Sequence, residues 1–308
     1  MAQVNMKLVK ELRERTQAGL NDCRTALIEA EGDMDKAVEV ILKKGLAKSV
    51  KRAGKVTAEG VVSTRVAEDK KSAVAVEVNI QTDFAARNVD FLAFVEKVVD
   101  VAVGAPDGAD LLSLPFPGGE GTVEDQRAAL VGRLGENITV RRWQRVAVET
   151  GLVTSYVHMG GKIAVLLGAE TDSAATAEKS EGLLADVAMQ VAAMAPSYLW
   201  AGNIPQADKD AQSKIFAAQL KEEGKIPEER WPQVIEGKLG KWAKEVCLLE
   251  QPSVIETKKS VDQVRADAAK AAGGEIKLVP FVRFERGEGI ETPQGDDFAE
   301  EVAKMAKG

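Results

Sequence analysis

Two stretches of the chain repeat one pattern of strand-forming residues, and this repeat constrains the fold more than any other feature. EGVVSTRV at 59–66 resembles TGLVTSYV at 150–157, and VAVEVNIQTD at 74–83 resembles IAVLLGAETD at 163–172. Apolar residues alternate in each copy, as on strands with one buried face. The short polar connection AEDKKS predicts that the paired strands form a hairpin. The chain therefore contains a duplicated antiparallel hairpin.

Each hairpin leads into an apolar helical pattern, at about 88–103 and about 175–194. Antiparallel strands with packed helices predict the α+β class. The alternative is a doubly wound parallel sheet, which needs crossover helices between its strands, and two hairpins do not supply them.

The segment before the repeat, residues 4–45, predicts three short helices. Asn21 or Asp22 is a candidate cap for the second helix and Asp33 for the third, and Gly45 suits the end of the third. The following segment 43–55 holds six basic residues and no acid, which favours a solvated flexible linker. The alternative is a basic patch that faces a partner. The net charge of −7 argues against nonspecific binding of nucleic acid.

Two further helical patterns lie between residues 204 and 250. Their apolar stripes predict two antiparallel helices that pack as a short coiled coil and project into solvent. The stripes are Ala211, Ile215, Phe216 and Leu220, and then Trp231, Ile235, Leu239, Trp242 and Val246.

The end of the chain predicts a strand at Leu278–Glu285, a turn at 287–289 and a terminal helix that Asp296 caps. Phe298, Val302 and Met305 form the apolar side of that helix. These patterns predict a three-helix module with its basic linker at 1–55, core halves at 56–145 and 146–285, and a C-terminal module at 286–308.

The scarce residue types exclude several classes of function. Two cysteines, Cys23 and Cys247, and one histidine, His158, provide neither a Cys/His zinc cluster nor a disulfide framework. The chain has no P-loop and no Gly-x-Gly-x-x-Gly after a strand, so no nucleotide cradle or cofactor is expected. It also has no apolar run of roughly 18 residues and no secretion signal, so no membrane is expected. We expect a cytoplasmic protein that acts through contacts with a partner.

The segment Gln81–Asn88, between the first hairpin and its helix, admits two interpretations. Thr82 and Asp83 suit helix capping, and Phe84 can plug the core, which would make the segment purely structural. In the second copy Ser173 stands where Phe84 stands, so the turn forms without the aromatic ring. An exposed Phe84 would instead be a ring that a partner buries.

Several segments, in the same order, resemble the bacterial elongation factor Ts family, the guanine-nucleotide exchange factors of elongation factor Tu. The resemblance runs nearly end to end. It rests on LVKELRERTQAGLNDCRTALIEAEGDMDKAVEVILKKG, NIQTDFAARNVDF, SYVHMGGKIAVLLG, DVAMQVAAMAPSYL, EVCLLEQPSV and FVRFERGEGIE.

The resemblance implies a fold with a ubiquitin-associated-like (UBA-like) N-terminal module, two related core halves, a coiled-coil protrusion and a C-terminal helical module. Some family members carry a histidine within the segment that matches Asp186–Ala193. Here the position is Gln190, so no role of that histidine transfers.

The resemblance also implies that the chain binds elongation factor Tu, both GDP-bound and nucleotide-free, in a complex that is at least a one-to-one heterodimer. It would promote GDP release by disturbing the magnesium and phosphate site, without a chemical active site of its own and without direct contact to nucleic acid. Thr82, Asp83, Phe84 and Ala85 would displace the magnesium. Further contacts would come from Arg87, Asn88, His158, Met159, Gly160, Phe298, Val302 and Met305.

Two alternatives to an exchange factor remain at this stage. One is an interaction scaffold that binds proteins through its N-terminal module and coiled coil without exchange activity. The other is a hydrolase that uses His158, although no nucleophile has an evident place beside that residue.

Overall fold

The computed structural model describes residues 5–16, 18–119 and 121–291. Its first part is a module of three helices, as predicted: α1 (Met6–Thr16), α2 (Leu20–Glu29) and α3 (Met34–Arg52). Their apolar faces enclose a small core around Leu12, Cys23 and Leu27. Asp33 caps α3 by accepting a hydrogen bond from the Lys36 amide at 3.1 Å. Neither Asn21 nor Asp22 caps α2, because that helix already begins after Gly19.

The first core half is an antiparallel sheet with helices on one face. Its elements are β1 (Glu59–Val66), β2 (Ser72–Ile80), α4 (Asp83–Ala86), α5 (Val89–Gly104), α6 (Val123–Leu134) and β3 (Ile138–Ala147). The strand order is β1-β2-β3. The predicted hairpin is β1–β2, and the apolar side chains of β2 that were predicted to share a face pack with α5 and α6. The sequence patterns did not identify α6 and β3.

The second core half repeats the hairpin. Its elements are β4 (Gly151–His158), β5 (Ile163–Thr171), α7 (Ala174–Lys179), α8 (Glu181–Met194), α9 (Gln206–Glu223), α10 (Trp231–Val246), α11 (Val261–Ala272), β6 (Ile276–Leu278) and β7 (Val282–Glu285). β5 pairs with β4 on one side and with β6 and β7 on the other. The predicted helix at 175–194 is divided at Ser180, and the predicted strand at 278–285 is divided around Pro280, which has no amide to donate.

The two sheets pack face to face between their outer helices. Val62, Ala75 and Val146 of the first sheet meet Ala164 and Leu166 of the second in a shared apolar layer. β2 is consequently buried on both faces. All pairings between these seven strands are antiparallel, which agrees with the predicted α+β class.

The segment around 204–250 forms two contacting helices, α9 and α10. The predicted stripe of α10 from Trp231 to Val246 is half-buried throughout. Ala211 and Ile215 of α9 are exposed, so the predicted stripe of α9 is only partly correct. A pair of helices with no third layer buries only the side where the two meet. Coiled-coil packing of this pair remains a prediction.

Helix α3 continues through Gly45, where the sequence predicted its end, and this corrects the assignment of 43–55 as a flexible linker. Gly45 lies against α6, and a Cβ on it would be 3.2 Å from the Ala128 carbonyl oxygen. Gly132 of α6 approaches Gly45 as closely, with its own Cβ position 3.2 Å from the Gly45 Cα. The missing side chains let the two helices cross in contact. Most of the basic segment is therefore a helix that joins the N-terminal module to the core.

No helix in the described ranges is long and apolar enough to cross a bilayer. The predicted terminal helix with Phe298, Val302 and Met305 lies outside the described residues. The UBA-like character of the first module and the predicted domain boundaries stay predictions.

Candidate partner-binding surface

The segment 81–88, here called the Thr82 turn, joins β2 to α5 through the single helical turn α4. Thr82 is the cap of α4, and its hydroxyl accepts a hydrogen bond from the Ala85 amide at 3.3 Å. Asp83 is the first residue of that helix, and its carboxylate pairs with Arg87 at 3.1 Å. Of the two capping candidates, the capping role thus falls to Thr82, which leaves the Asp83 carboxylate on the surface.

Glu136 fixes the Thr82 turn from another part of the chain. Its carboxylate accepts hydrogen bonds from the Thr82 amide at 3.1 Å and from the Thr82 hydroxyl at 2.8 Å. Glu136 directly follows Gly135, whose φ of +74° ends α6. The sequence reasoning missed Glu136. The Gly135 stop signal locates a turn, but a contact across 54 residues leaves no local pattern.

Phe84 points away from the protein, with 84% of its surface exposed. The alanines beside it do the opposite, because Ala86 is buried and Ala85 packs against the core of the first half. Asn88 caps α5 by accepting from the Asp90 amide at 2.8 Å, so its side chain has a structural role. The interpretation of Phe84 as a core plug is therefore wrong. The turn presents an aromatic ring on an anchored backbone.

The equivalent turn of the second half is built differently. Ser173, which aligns with Phe84, caps α7 by accepting from the Thr176 amide at 3.2 Å. Hydrogen bonds from the Thr176 hydroxyl and then from the Glu275 amide lower the pKa of Asp172. Gly274 closes over this carboxylate, since a Cβ there would lie 2.5 Å from its oxygen. The Asp172 carboxylate is exposed but hydrogen-bonded by its own turn and by the Glu275 amide, whereas the half-exposed Asp83 carboxylate pairs with the exposed side chain of Arg87.

His158 ends β4 at the other predicted contact region, the His158 turn (158–161). Its Nδ1 lies 3.1 Å from the Tyr156 hydroxyl, and the two rings stack at 6.0 Å. Met159 is 71% exposed and has a φ of +47°. The Gly161 carbonyl accepts a hydrogen bond from the Val62 amide at 2.8 Å, which fastens the turn to β1. Within the described ranges, the side-chain partner of His158 is Tyr156 and not a serine or cysteine, so these contacts give no support to the hydrolase alternative.

A groove of about 340 Å³ lies between the His158 turn, β1 and α5. Leu92 and Val157 line it, and both side chains are more than a third exposed. Val89 stands one turn before Leu92 on the same side of α5 and is also exposed. Phe84 lies on the short helix just before Val89. Leu92 of the first core half and Val157 of the second thus share one groove. We call these two and the exposed apolar side chains of the neighbouring turns and helix the apolar face: Phe84, Val89, Leu92, Val157 and Met159.

The described residues contain no group of three His, Cys, Asp or Glu side chains that could hold a metal ion. Cys23 and Cys247 are both fully buried, and burial raises the pKa of each thiol. The two cysteines thus act as packing residues, as the sequence indicated.

The comparisons with known proteins agree with the resemblance. The family model described as Elongation factor TS matches residues 81–288. A protein of Nitratiruptor sp. named Elongation factor Ts is 46% identical over 301 residues, which cover 97% of this chain and 98% of the relative. The proteins of that name from Clostridium perfringens and Methylobacterium nodulans are each 44% identical, with 98% and 100% of this chain covered and 99% and 100% of the relatives.

Proposed function

The chain belongs to the elongation factor Ts family of translation elongation factors, and we propose that it binds elongation factor Tu in its GDP form and promotes the release of GDP. It would then stay on the nucleotide-free partner until GTP binds. The partner, a GTPase, supplies the nucleotide site, so this chain needs neither a cofactor nor a chemical active site. The proposed place of action is the cytoplasm.

The exposed ring of Phe84 is the observation that carries this proposal. Burial of an exposed aromatic side chain lowers the free energy by roughly 1.5–3 kcal/mol. The backbone below the ring is fixed by Glu136 on one side and by the buried Ala86 on the other. A ring on a fixed support can be pressed between elements of a partner without folding back into its own protein.

The proposed mechanism combines this ring with the carboxylate beside it. A GTPase holds GDP through its phosphate loop and a magnesium ion that bridges to the phosphate. Phe84 would wedge into the partner near the phosphate side, with Thr82 and Ala85 shaping the contact. Asp83 would bring a negative charge towards the metal and its ligands. A loss of about 4 kcal/mol of nucleotide stabilisation at the release barrier would accelerate release about a thousandfold.

Thermodynamic linkage requires this coupling to be reciprocal. If the factor weakens the binding of GDP, then GDP weakens the binding of the factor by the same ratio. Nucleotide rebinding consequently displaces the factor. The factor therefore changes the rate of nucleotide exchange without shifting the overall equilibrium between bound GDP and bound GTP.

The rest of the apolar face would enlarge the contact beyond the metal site. His158, Met159 and Gly160 would meet a second surface of elongation factor Tu, and Arg87 and Asn88 would border the wedge. Phe298, Val302 and Met305 would contact the partner from the C-terminal module (286–308). The N-terminal module (1–55) would contact the GTPase domain, which leaves the core halves (56–145 and 146–285) to span the nucleotide site.

The test is release of a fluorescent GDP analogue from elongation factor Tu with magnesium present. We expect the wild-type chain to accelerate release and Asp83→Ala to reduce the effect. Glu170→Ala is the matched control, because Glu170 is a half-exposed carboxylate in a surface ion pair, as Asp83 is. In EDTA, where the metal is already removed, the difference between wild type and Asp83→Ala should shrink.

A chain that binds elongation factor Tu but leaves GDP release unchanged would be the scaffold of the alternative. Equal release by wild type and Asp83→Ala, with and without EDTA, would remove the role assigned to the carboxylate.

A further inference from the structure

Glu77 is a fully buried carboxylate in the middle of β2, on the face turned towards the second sheet. Burying a charge is unfavourable unless hydrogen bonds and opposite charges compensate it. Four donors surround this one: Arg142 Nε at 2.5 Å, the Gly287 amide at 2.8 Å, and Asn79 Nδ2 and Arg141 Nη1, both at 3.0 Å. The cluster is thus a built site rather than a chance contact.

A β-bulge makes this arrangement possible. Consecutive residues of a regular strand point to opposite faces, so Arg141 and Arg142 could not both reach one carboxylate. The pairing of β2 with β3 shifts between Glu77 and Val78, where Glu77 pairs with Arg142 and Val78 with Val140. Arg141 is the extra residue of the bulge, and the bulge turns its side chain to the same side as that of Arg142.

The same two arginines hold residues 286–289, here called the C-terminal turn. Arg142 Nη2 donates to the Glu285 carbonyl at 3.1 Å, and Arg141 donates to the Glu288 carbonyl. Gly287 sits so close to Ala58, the residue before β1, that a Cβ would be 2.4 Å from the Ala58 carbonyl oxygen. The C-terminal turn follows a strand of the second sheet, yet it is fastened to the first.

The fastening point is next to the Thr82 turn. Arg286 pairs with Glu59 at 2.9 Å, and Glu59 is the register partner of Ile80. Ile80 ends β2, two residues before Thr82. The C-terminal turn and the Thr82 turn are therefore both at the open end of the β1–β2 hairpin.

We propose that Glu77 is a positioning residue for partner binding, which fixes the C-terminal turn beside the Thr82 turn and so sets the relative placement of two contact elements. This inference rests on the proposed function, in which the Thr82 turn and the C-terminal module (286–308), which begins with the C-terminal turn, contact the same partner. Glu77 itself touches no partner.

Two glycines with nearly the same backbone angle provide a matched pair of variants. Gly287 has a φ of +73° and Gly108, in the loop after α5, has a φ of +76°, so alanine brings similar backbone strain at either position. Gly287 is pressed against Ala58, whereas no atom lies within 4 Å of a Cβ on Gly108. Gly287→Ala displaces the turn from Ala58, and Gly108→Ala controls for the strain. Glu77→Gln removes the charge at nearly constant volume.

The first readout is the dependence of GDP release on factor concentration in the full-length chain. We expect Glu77→Gln and Gly287→Ala to raise the concentration for half-maximal release about tenfold and to keep the maximal rate within about twofold. Gly108→Ala should stay close to wild type in both values. A general loss of folded protein would instead lower the signal of all three variants in proportion to their unfolded fraction, which thermal unfolding measures.

The second readout uses the free chain and does not depend on the exchange activity. Spin labels at Val89→Cys and Glu291→Cys report the distance between the Thr82 turn and the C-terminal turn, since Cys23 and Cys247 are buried. The distance distribution should be narrow in the wild-type background, broad with Glu77→Gln or Gly287→Ala, and narrow with Gly108→Ala. Unchanged distributions in both test variants would overturn the positioning role. A wild-type chain with a narrow distribution and no exchange activity would overturn the proposed function alone.

Discussion

Replacing Phe84 by alanine is the perturbation that separates the fold from the proposed activity most cleanly. The ring is 84% exposed, so its loss removes almost no contact within the protein. Surface substitutions of this kind change the free energy of unfolding by about 0.5 kcal/mol or less. By contrast Phe91, a few residues later, is fully buried, and Phe91→Ala should cost roughly 3–5 kcal/mol of stability.

The loss caused by Phe84→Ala should appear in the complex with elongation factor Tu and not in the stability of the free chain. Full burial of a phenylalanine yields about 1.5–3 kcal/mol, and alanine keeps only the Cβ, so a loss of about 2 kcal/mol is expected. If that contact forms in the transition state for release, the rate falls about 30-fold. Stopped-flow release of a fluorescent GDP analogue from elongation factor Tu, over a range of factor concentrations, measures both the maximal rate and the apparent affinity.

The matched control is Ile255→Ala, which removes an apolar side chain that is 55% exposed but lies far from the apolar face in sequence. It should release GDP as the wild type does. Phe84→Leu keeps apolar volume without the ring and should fall between wild type and Phe84→Ala. The reasoning is refuted if Phe84→Ala is folded and releases GDP at the wild-type rate, or if Ile255→Ala is equally slow.

Three further outcomes follow from the described contacts. Burial acts to raise the pKa of Glu77, but hydrogen bonds from Gly287, Asn79 and Arg142 outweigh it and lower the pKa below its usual 4.5. The stabilisation by the Glu77 carboxylate is then fully present above the usual pKa of 4.5 and is lost as the pH falls through the lowered pKa. Urea unfolding from pH 7 to about pH 3 should therefore show a steeper loss of stability for wild type than for Glu77→Gln. Glu136→Gln should weaken the two hydrogen bonds to Thr82, at a cost of about 1 kcal/mol or less in unfolding free energy. Hydrogen exchange at the Thr82 amide should become faster, and GDP release should become severalfold slower. Unchanged hydrogen exchange at that amide would contradict the anchoring role. Burial, with a smaller effect of Glu250, raises the pKa of Cys247 to about 11, so iodoacetamide at pH 8 should modify this thiol only after denaturation, and rapid modification of the native chain would refute the assignment.

The hairpins were predictable because their signal is local. Alternating valines in β2 mark one face of a strand whatever lies around them. β3 escaped notice because Arg141, Arg142 and Arg145 interrupt its alternation. Arg145 is accommodated by the end of α5, where it donates to the carbonyl oxygens of Ala102 at 3.0 Å and Ala105 at 2.7 Å. Such partners lie about 40 residues away, and no window of sequence contains them.

The exposure of Phe84 could not be predicted from the local sequence pattern either. A strand end followed by Thr-Asp-Phe is compatible with a ring turned inward or outward. Tertiary contacts decide between the two, because Ala86 occupies the inward position and Glu136 sets the start of α4 at Thr82. The same limit applies to Gly45. A glycine favours the end of a helix, and here packing against α6 stabilises the helix beyond it.

A comparison of the two core halves shows why the turn after β2 can carry an exposed ring and the turn after β5 carries a capping serine. Both turns need a side chain that caps the helix after the strand. In the second half Ser173 performs this task at the position that aligns with Phe84. In the first half the cap lies two aligned positions earlier, at Thr82, so position 84 falls inside the helical turn and needs no hydrogen bond of its own. An earlier helix start therefore releases one position from capping, and that position carries the ring. The exposed ring that distinguishes the two copies of one fold thus follows from the place where a four-residue helix begins.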